Sequence, residues 1–208
     1  MDRRTLERVE TVEFRRAKPE DIPTILDVQA ANFIGNLDDA ERRDGFLSVE
    51  FTRRQLDEIA SQVGIIVAAG EGRLAGYLCA SCCEFNRPFP LLAAMMRQFD
   101  AIDHRGRVLA ASRVFIYGPV CIDRSYRGRG LLRGLYETLQ REVVGRYDIG
   151  VAFVADENPH SLRVHVDGLG MAPVGEFTFS GKPYHILAFD VRSGDEHGAA
   201  SKPAVEKT

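Results

Sequence analysis

The sequence predicts an α+β fold in which α/β/α layers are built around one sheet. Strand-like and helix-like segments are interleaved along a single chain of 208 residues. Two pairs of strand-like segments are separated only by short turns, which indicates β-hairpins. Hydrophobic residues make up 45% and charged residues 27% of the chain, a composition typical of a soluble globular protein. A chain of this length can bury a substantial core without disulfides or metals.

The chain is expected to form one domain over residues 12–192. We expect residues 1–11 to form an N-terminal extension and the polar residues 193–208, SGDEHGAASKPAVEKT, to form a flexible C-terminal tail. We find no internal repeat and no change of composition that would mark a second domain. Residues 86–111 have the least regular pattern, which fits either an inserted lid or a connecting helix packed on the core.

The first half of the domain opens with a strand and two helices. VEFRRA at 12–17 alternates like a short strand, and residues 18–33 repeat apolar side chains at helical spacing. A second helix is expected at about 48–62. Two strand-like runs at 64–85 meet at Glu71–Gly72, so they predict an antiparallel hairpin.

The strand RVFIYGPVCI, residues 113–122, is interrupted by Gly118 and Pro119. Proline cannot donate to a β-ladder and glycine weakens one, so we expect the strand to bulge or to part from a neighbour there. The other elements of the second half are a short apolar helix at 90–102, a helix at 130–144, a buried strand at 148–154, a turn and helix at 158–171, and a closing hairpin at 174–191.

The charge balance and the hydropathy pattern exclude several classes of protein. A net charge of −3 argues against a nucleic-acid or membrane-surface protein, which usually carries a basic excess. No apolar run is long enough to span a bilayer, and the start of the chain lacks the apolar core of a signal peptide. We therefore expect a cytoplasmic protein with no membrane or nucleic-acid partner.

Two of the four cysteines, Cys79 and Cys82, have a C-x-x-C spacing. The surrounding segment is strand-like, so residues three apart point to opposite faces and could not share one metal ion. We expect no metal site and interpret the cysteines as small buried thiols.

The stretch RSYRGRGLL, residues 124–132, joins the interrupted strand to the next helix. A glycine-rich turn that opens a helix leaves backbone N–H groups unpaired, and with the helix dipole these favour a phosphate. Arg127 and Arg129 add positive charge beside Gly128 and Gly130. The alternative is a solvated basic turn. An RNA-binding turn is less favoured, because aromatic residues are not interleaved with the basic ones.

The glycine spacing excludes two common phosphate-binding motifs. Arg133 occupies the third glycine position of a dinucleotide-binding G-x-G-x-x-G motif. No G-x-x-x-x-G-K-[ST] sequence of a P-loop occurs in the chain.

Two segments resemble the GCN5-related N-acetyltransferases, abbreviated GNAT. VCIDRSYRGRGLL is similar to the acetyl-CoA motif of that family and aligns through Arg127 and Gly130, with Leu132 at a position that is usually small. NPHSLRVHVDGLGM resembles the family's asparagine, helix, aromatic residue or histidine, and Gly-Phe. Here Met171 replaces the phenylalanine, and one extra residue precedes Leu169.

The resemblance implies a mixed, mostly antiparallel twisted sheet whose fourth and fifth main strands splay apart to admit the pantetheine arm. The break at Gly118 and Pro119 independently agrees with such a splay, because it would leave backbone groups free to take a ligand as an added strand. The residues expected to bind acetyl-CoA, as co-substrate, are Val120, Cys121, Ile122, Arg127, Gly128, Arg129, Gly130, Leu131, Leu132 and Asn158.

The implied activity is acetyl-CoA-dependent N-acetyl transfer to a primary amine of an unidentified small molecule or peptide, by direct attack in a ternary complex and without a metal. A backbone N–H near Val120 would polarise the carbonyl. Glu84 is the candidate base and His165 the candidate acid. Their structural alternatives are an exposed acid at a strand end and a packed or capping histidine. Asn158 would look the same as a plain helix N-cap.

Other interpretations stay open at this point. The same fold could serve as a catalytically silent acyl-CoA-binding or regulatory domain. Cys121 keeps a ping-pong route formally open, and Tyr117, Tyr136 and His104 are substitutes for the acid or base. Residues 86–111 are a candidate acceptor-site insertion, and a homodimer is compatible with the sequence.

Overall fold

A computed structural model describes residues 12–70 and 73–191 of the chain. A sheet of seven strands in the order β1-β2-β3-β6-β7-β9-β8 forms its centre, and β4 and β5 form a separate two-stranded ribbon. All neighbours in the main sheet are antiparallel except β6 and β7, which are parallel. The strands are β1 Glu13–Arg16, β2 Gly64–Gly70, β3 Arg73–Cys82, β4 Asp103–His104, β5 Arg107–Val108, β6 Val114–Ile122, β7 Ile149–Ala155, β8 Ala172–Phe179 and β9 Lys182–Asp190.

The α-helices of the described residues are α1 Ile22–Ala30, α2 Asp39–Arg42, α3 Arg53–Ser61, α4 Cys83–Asn86, α5 Pro90–Met96, α6 Leu131–Val143 and α7 Pro159–Arg163. One π-helical turn, Val164–Gly168, continues α7. Short 3₁₀ turns lie at Pro19–Asp21, Ile34–Asn36, Leu109–Ala111 and Arg124–Tyr126.

The alternation of side chains along β2 shows how the layers are built. Ile66 packs in one core with the apolar stripe of α6, while Ile65 packs in another with α1 and α3. Successive strand residues point to opposite faces, so a fully apolar strand must be covered on both sides. The prediction of an α+β layered fold with helices on both faces of a mixed, mostly antiparallel sheet is therefore confirmed.

Several predicted helices are too long. The helix predicted at 18–33 ends at Ala30, and the Asn32 amide donates to the Val28 carbonyl just beyond that end (2.8 Å). The helix predicted at 48–62 starts at Arg53, because Thr52 and Gln55 form a capping box that fixes its first turn. The helix predicted at 90–102 ends at Met96. Apolar periodicity alone does not show where such local hydrogen bonds end a helix.

The interruption of β6 at Gly118 and Pro119 is confirmed as a β-bulge. Leu78 of β3 pairs with Val120 and Ala80 pairs with Tyr117, so one residue of β3 opposes two of β6. Beyond this point β6 also leaves its other neighbour. It pairs with β7 only at Val114–Ile116, and the two strands then diverge, which confirms the predicted splay of the fourth and fifth main strands.

Residues 86–111 pack against the sheet where β7, β8 and β9 lie, rather than extending into solvent as a lid. Met95, Phe99 and Leu109 are buried in one cluster with β7, β8 and β9. The ribbon that follows is tied to the sheet because Arg105 and Arg107 both form ion pairs with Asp190 at the end of β9. The segment is thus a packed connection over most of its length.

Some sequence predictions fall outside the described residues, namely the hairpin turn at 71–72, the extension 1–11 and the tail 193–208. Among the helices of the described part, none is both long and apolar enough to cross a membrane. The same residues contain no group of three or more His, Cys, Asp or Glu side chains placed to hold a metal ion.

Gly150→Ala tests the packing of the centre of β7. An added Cβ would collide with the ring of Phe189, which is buried in edge-to-face contact with Phe115 and Tyr117. We expect the free energy of unfolding, measured by urea denaturation, to fall by about 1–3 kcal/mol. Gly168→Ala is the control, because nothing lies within 4 Å of its added Cβ. Equal stability of the two variants would contradict this packing.

Candidate functional site

A groove of about 610 Å³ opens where β6 leaves β7. Its floor is the half-buried end of β6, and its far wall is the α7 region that follows β7. The groove-lining residues are Asn32, Asp44, Gly45, Phe46, Leu47, Val120, Cys121, Ile122, Arg124, Tyr126, Arg127, Gly128, Gly130, Leu131, Leu132, Asn158, His160, Ser161, Val164 and His165. The groove therefore brings together nine of the ten predicted cofactor-binding residues and His165.

One end of the groove is formed by the turn that opens α6. Gly128 and Gly130 both have φ of +76°, a left-handed conformation that favours glycine, and no atom lies within 4 Å of an added Cβ at either position. Gly130 is the N-cap of α6, and its carbonyl accepts from the Arg133 N–H (3.1 Å). The N–H groups that precede Arg133 belong to the first turn, which a helix leaves without intrahelical partners. Together with the dipole of α6 they form an anion-binding end.

The side chain of Arg127 is directed into the protein rather than toward this opening. Its guanidinium donates to the Ile122 carbonyl (3.2 Å), the Asp44 carbonyl (3.0 Å) and the Asn32 side-chain oxygen (2.8 Å). Its hydrogen bonds thus join the floor of the groove to the segment that follows α2. Arg129, the one predicted cofactor residue that does not line the groove, places its guanidinium over the Tyr126 ring, 5.2 Å from the centroid.

The segment of residues 44–51, here called the 44–51 loop, forms a wall of the site that sequence analysis missed. Asn158 donates to the Phe46 carbonyl (3.0 Å), and Arg127 holds Asp44. At the other end the Gln29 amide both donates to and accepts from the backbone of Phe51, at 2.8 and 2.9 Å. These partners lie far away along the chain, so no local sequence signal indicates that this loop reaches the groove.

Asn158 is buried and is the N-cap of α7. Its side-chain oxygen accepts from the Ser161 N–H (3.1 Å), while its amide holds Phe46. The capping role that the sequence left open is thus present, and the same side chain lines the groove.

His165 is buried at the start of the π-helical turn and lies beside Asn158 in the wall of the groove. The extra residue noted before Leu169 is accommodated in this turn, because a π turn holds one more residue than an α turn. Nδ1 of His165 lies 2.7 Å from the Ser161 carbonyl and 3.3 Å from the Ser161 hydroxyl. Burial holds the pKa of His165 below its usual value.

These contacts determine which nitrogen of the His165 imidazole carries the proton. A carbonyl oxygen can only accept, so Nδ1 of His165 must carry the proton that is donated to Ser161. The neutral ring then has its lone pair at Nε2. Near neutral pH the buried His165 is thus neutral, with its proton at Nδ1 and a free lone pair at Nε2.

Two further groups of the site are protonated. Tyr117 packs edge-on against the ring of His165, 5.6 Å between centroids, and its buried hydroxyl has no hydrogen-bond partner within the described part of the chain. Burial raises the pKa of Tyr117 far above its usual value and the pKa of Cys121 to about 12. Cys121 is consequently a thiol and not a thiolate nucleophile.

A second, largely apolar cavity continues from the groove between β6 and β7. The two spaces share Phe46, Leu47, Val120, Asn158, Ser161 and His165. The deeper cavity adds side chains from the 44–51 loop, from α5 and from β7, namely Val49, Phe51, Leu92 and Phe153. Leu92 is the one residue of 86–111 among those that line it.

Glu84 does not lie in either space. It belongs to α4, its side chain is 72% exposed, and its nearest charged neighbour is Arg87 at 3.9 Å. It borders a separate open depression with Arg113 and Tyr147. Cys82 pairs with Phe115, five residues before Val120, so Glu84 is at the opposite end of β6, about 16 Å or more away. Glu84 thus occupies the position of an exposed acid, which was the structural alternative to its role as a base.

No protein-family model matches the chain, and no curated protein matches it. Solved structures do. An N-acetyltransferase from Staphylococcus aureus is 18% identical, with a TM-score of 0.60 over 88% of this chain and 99% of that one. A GNAT-family protein from Desulfovibrio desulfuricans is 16% identical, with a TM-score of 0.58 over 88% of this chain and 100% of that one. The chain has the GNAT fold.

A third similar structure of the GNAT fold was solved with a ligand. It is yncA from Salmonella typhimurium with its cofactor acetyl-CoA, 17% identical, with a TM-score of 0.53 over 90% of this chain and 96% of that one. The fold predicted from the two sequence motifs is thus confirmed by structures that share few residues with this chain.

Proposed function

We propose that this protein transfers the acetyl group of acetyl-CoA to a primary amine. The observation that carries the proposal is the continuous path from the anion-binding end of α6, along the unpaired edge of β6, to the neutral imidazole of His165. The N-acetyltransferase from Staphylococcus aureus and the acetyl-CoA-bound structure of yncA, which have the same fold, support it.

The described residues fit coenzyme A in three places. The open turn from Gly128 to Leu132 offers amides for the diphosphate, with no side chain in the way at either glycine. The edge of β6 around Val120 and Ile122, which has lost β7 as a partner, offers backbone groups for the pantetheine amides. Asn158 stands opposite that edge. Leu132 lines the groove beside the turn without closing it.

The transfer is a direct attack in a ternary complex. The amine nitrogen forms a bond to the thioester carbon, the C–S bond breaks, and the thiolate of coenzyme A leaves. A backbone N–H near Val120 stabilises the negative charge that develops on the carbonyl oxygen. Nε2 of His165 accepts the proton lost by the nitrogen, directly or through a water, and returns it to the thiolate.

The other candidates of the sequence fit this reaction less well. A ping-pong route would need Cys121 as a thiolate, and its pKa of about 12 opposes that. Glu84 is at the wrong end of β6 to take a proton from an amine near Val120. His104 belongs to β4, its Nε2 lies 3.4 Å from Asp190, and it does not line the groove. A cytoplasmic location and a homodimer stay predictions of the sequence.

Gly130→Glu is expected to abolish binding of coenzyme A, because it places bulk and negative charge where the diphosphate would sit. Repulsion of several kcal/mol corresponds to a dissociation constant raised about 100-fold or more, measured by calorimetry. Gly145→Glu is the matched control, since Gly145 has the same φ of +76° and the same open surroundings but lies beyond the far end of α6. Equal affinities of the two variants would rule out this diphosphate site.

His165→Gln is expected to lower kcat for acetyl transfer by about 100-fold or more, the usual contribution of a positioned proton acceptor. Glu84→Gln, the control at the other candidate base, should leave kcat unchanged. The wild-type rate should fall as the pH drops below the lowered pKa of His165, because protonation removes the Nε2 lone pair, and the variant should lack that limb. Thiol release from acetyl-CoA measures the rates of the wild type and of both variants. A larger loss in Glu84→Gln would reverse the assignment.

A further inference from the structure

We infer that the acceptor is a weakly basic primary amine that carries an apolar group, held in the cavity between β6 and β7. The inference rests on the proposed function and names its substrate class. It is drawn from the position of the cavity, from the chemistry of its walls and from the neutral state of His165, which lines it.

The position follows from the direction of the groove. The anion-binding turn at Gly128–Gly130 is at one end, and the residues shared with the deeper cavity, Val120, Asn158 and His165 among them, are at the other. A thioester attached to a chain that starts at the turn and follows β6 ends at these shared residues. The space beyond them is therefore where the attacking amine must stand.

The walls of this space are apolar on several sides. Phe46, Val49 and Phe51 come from the 44–51 loop, Leu92 from α5 and Phe153 from β7. The polar side chains among the described lining residues are those of Ser48, Tyr117, Asn158, Ser161 and His165. None of the described lining residues is Asp, Glu, Lys or Arg. A pocket of this kind gains free energy by removing an apolar substituent from water.

The acids that follow β7 are engaged outside the cavity. Asp156 pairs with His185 at 3.0 Å, and Glu157 pairs with Lys182 at 2.9 Å. Glu50, next to Val49 in the chain, is exposed and does not line the space. The structure thus offers no carboxylate of the described residues to receive an ammonium ion there.

The missing carboxylate decides which amines are suited to the site. Transfer of an unpaired ammonium ion into an apolar cavity is unfavourable, so the amine must enter neutral. With a pKa of about 10.4, an alkyl amine is neutral in only about one molecule in a thousand at pH 7.5. An α-amine with a pKa of about 7.7–8.0 is neutral in roughly a third of molecules. His165, a weak base because it is buried, also matches the less basic amine better.

A matched set of amines tests the inference through thiol release from acetyl-CoA at pH 7.5. Phenylalaninamide is weakly basic and apolar, phenylethylamine has the same ring but is strongly basic, glycinamide lacks the side chain, and aspartic acid α-amide carries a charge. We expect kcat/KM for phenylalaninamide to exceed that for glycinamide and aspartic acid α-amide by about 10-fold or more, as burial of one large apolar side chain predicts. It should exceed that for phenylethylamine by about 10-fold or more.

Val49→Glu adds the missing carboxylate to a half-buried wall position of the 44–51 loop. We expect it to raise the ratio of kcat/KM for phenylethylamine over phenylalaninamide by about 10-fold, whereas the neutral control Val49→Gln leaves that ratio unchanged. Calorimetric titration of both amines into the complex with coenzyme A measures binding independently of catalysis. In Val49→Glu the dissociation constant of phenylethylamine should fall relative to that of phenylalaninamide, and in Val49→Gln it should not.

The outcomes distinguish an error in the substrate class from an error in the proposed acetyl transfer. Faster acetylation of phenylethylamine than of phenylalaninamide by the wild type would overturn the inference and leave acetyl transfer standing. Equal effects of Val49→Glu and Val49→Gln would overturn it as well. If coenzyme A binds and no amine of the set is acetylated, the proposed function itself is wrong, and the inference falls with it.

Discussion

The rest of the site depends on one gap in backbone pairing. β6 and β7 are hydrogen-bonded as parallel neighbours for three residues each and then separate, although both strands continue. Peptide groups along the separated edges lose their ladder partners, and a polar group kept from water without a partner is costly. The bulge at Gly118 and Pro119 lowers that cost, because Pro119 has no N–H to satisfy. A ligand with its own amides can occupy such a gap as an additional strand.

The elements around the gap are held by hydrogen bonds between distant parts of the chain. Arg127 connects the end of β6 to Asp44 and Asn32, and Asn158 connects the start of α7 to Phe46. The positive charge of Arg127 is thus used to fix the 44–51 loop against the groove. The backbone amides of the turn and the dipole of α6 attract an anion there without a titratable group.

The sequence predicted the parts of this arrangement that have local causes. Gly118 and Pro119 in an apolar strand indicate a broken ladder, and Gly128 and Gly130 before an amphipathic helix indicate an anion-binding turn. The sequence could not predict contacts formed across the fold. The 44–51 loop reaches the site through partners more than 20 and up to 112 residues away. Glu84 was misplaced because a strand end alone does not tell which end of the neighbouring strand it meets. The tautomer of His165 could not be predicted either, because it follows from the contact of its Nδ1 with the Ser161 carbonyl.

Amide hydrogen exchange with and without coenzyme A measures the central claim most directly, because it reports on individual backbone N–H groups. With coenzyme A bound, we expect slower exchange along the β6 edge around Val120 and Ile122 and in the turn from Gly128 to Leu132. We expect no change around Glu84, which lies in the separate depression. Unchanged exchange along β6 under saturating coenzyme A, or protection confined to the Glu84 depression, would contradict it.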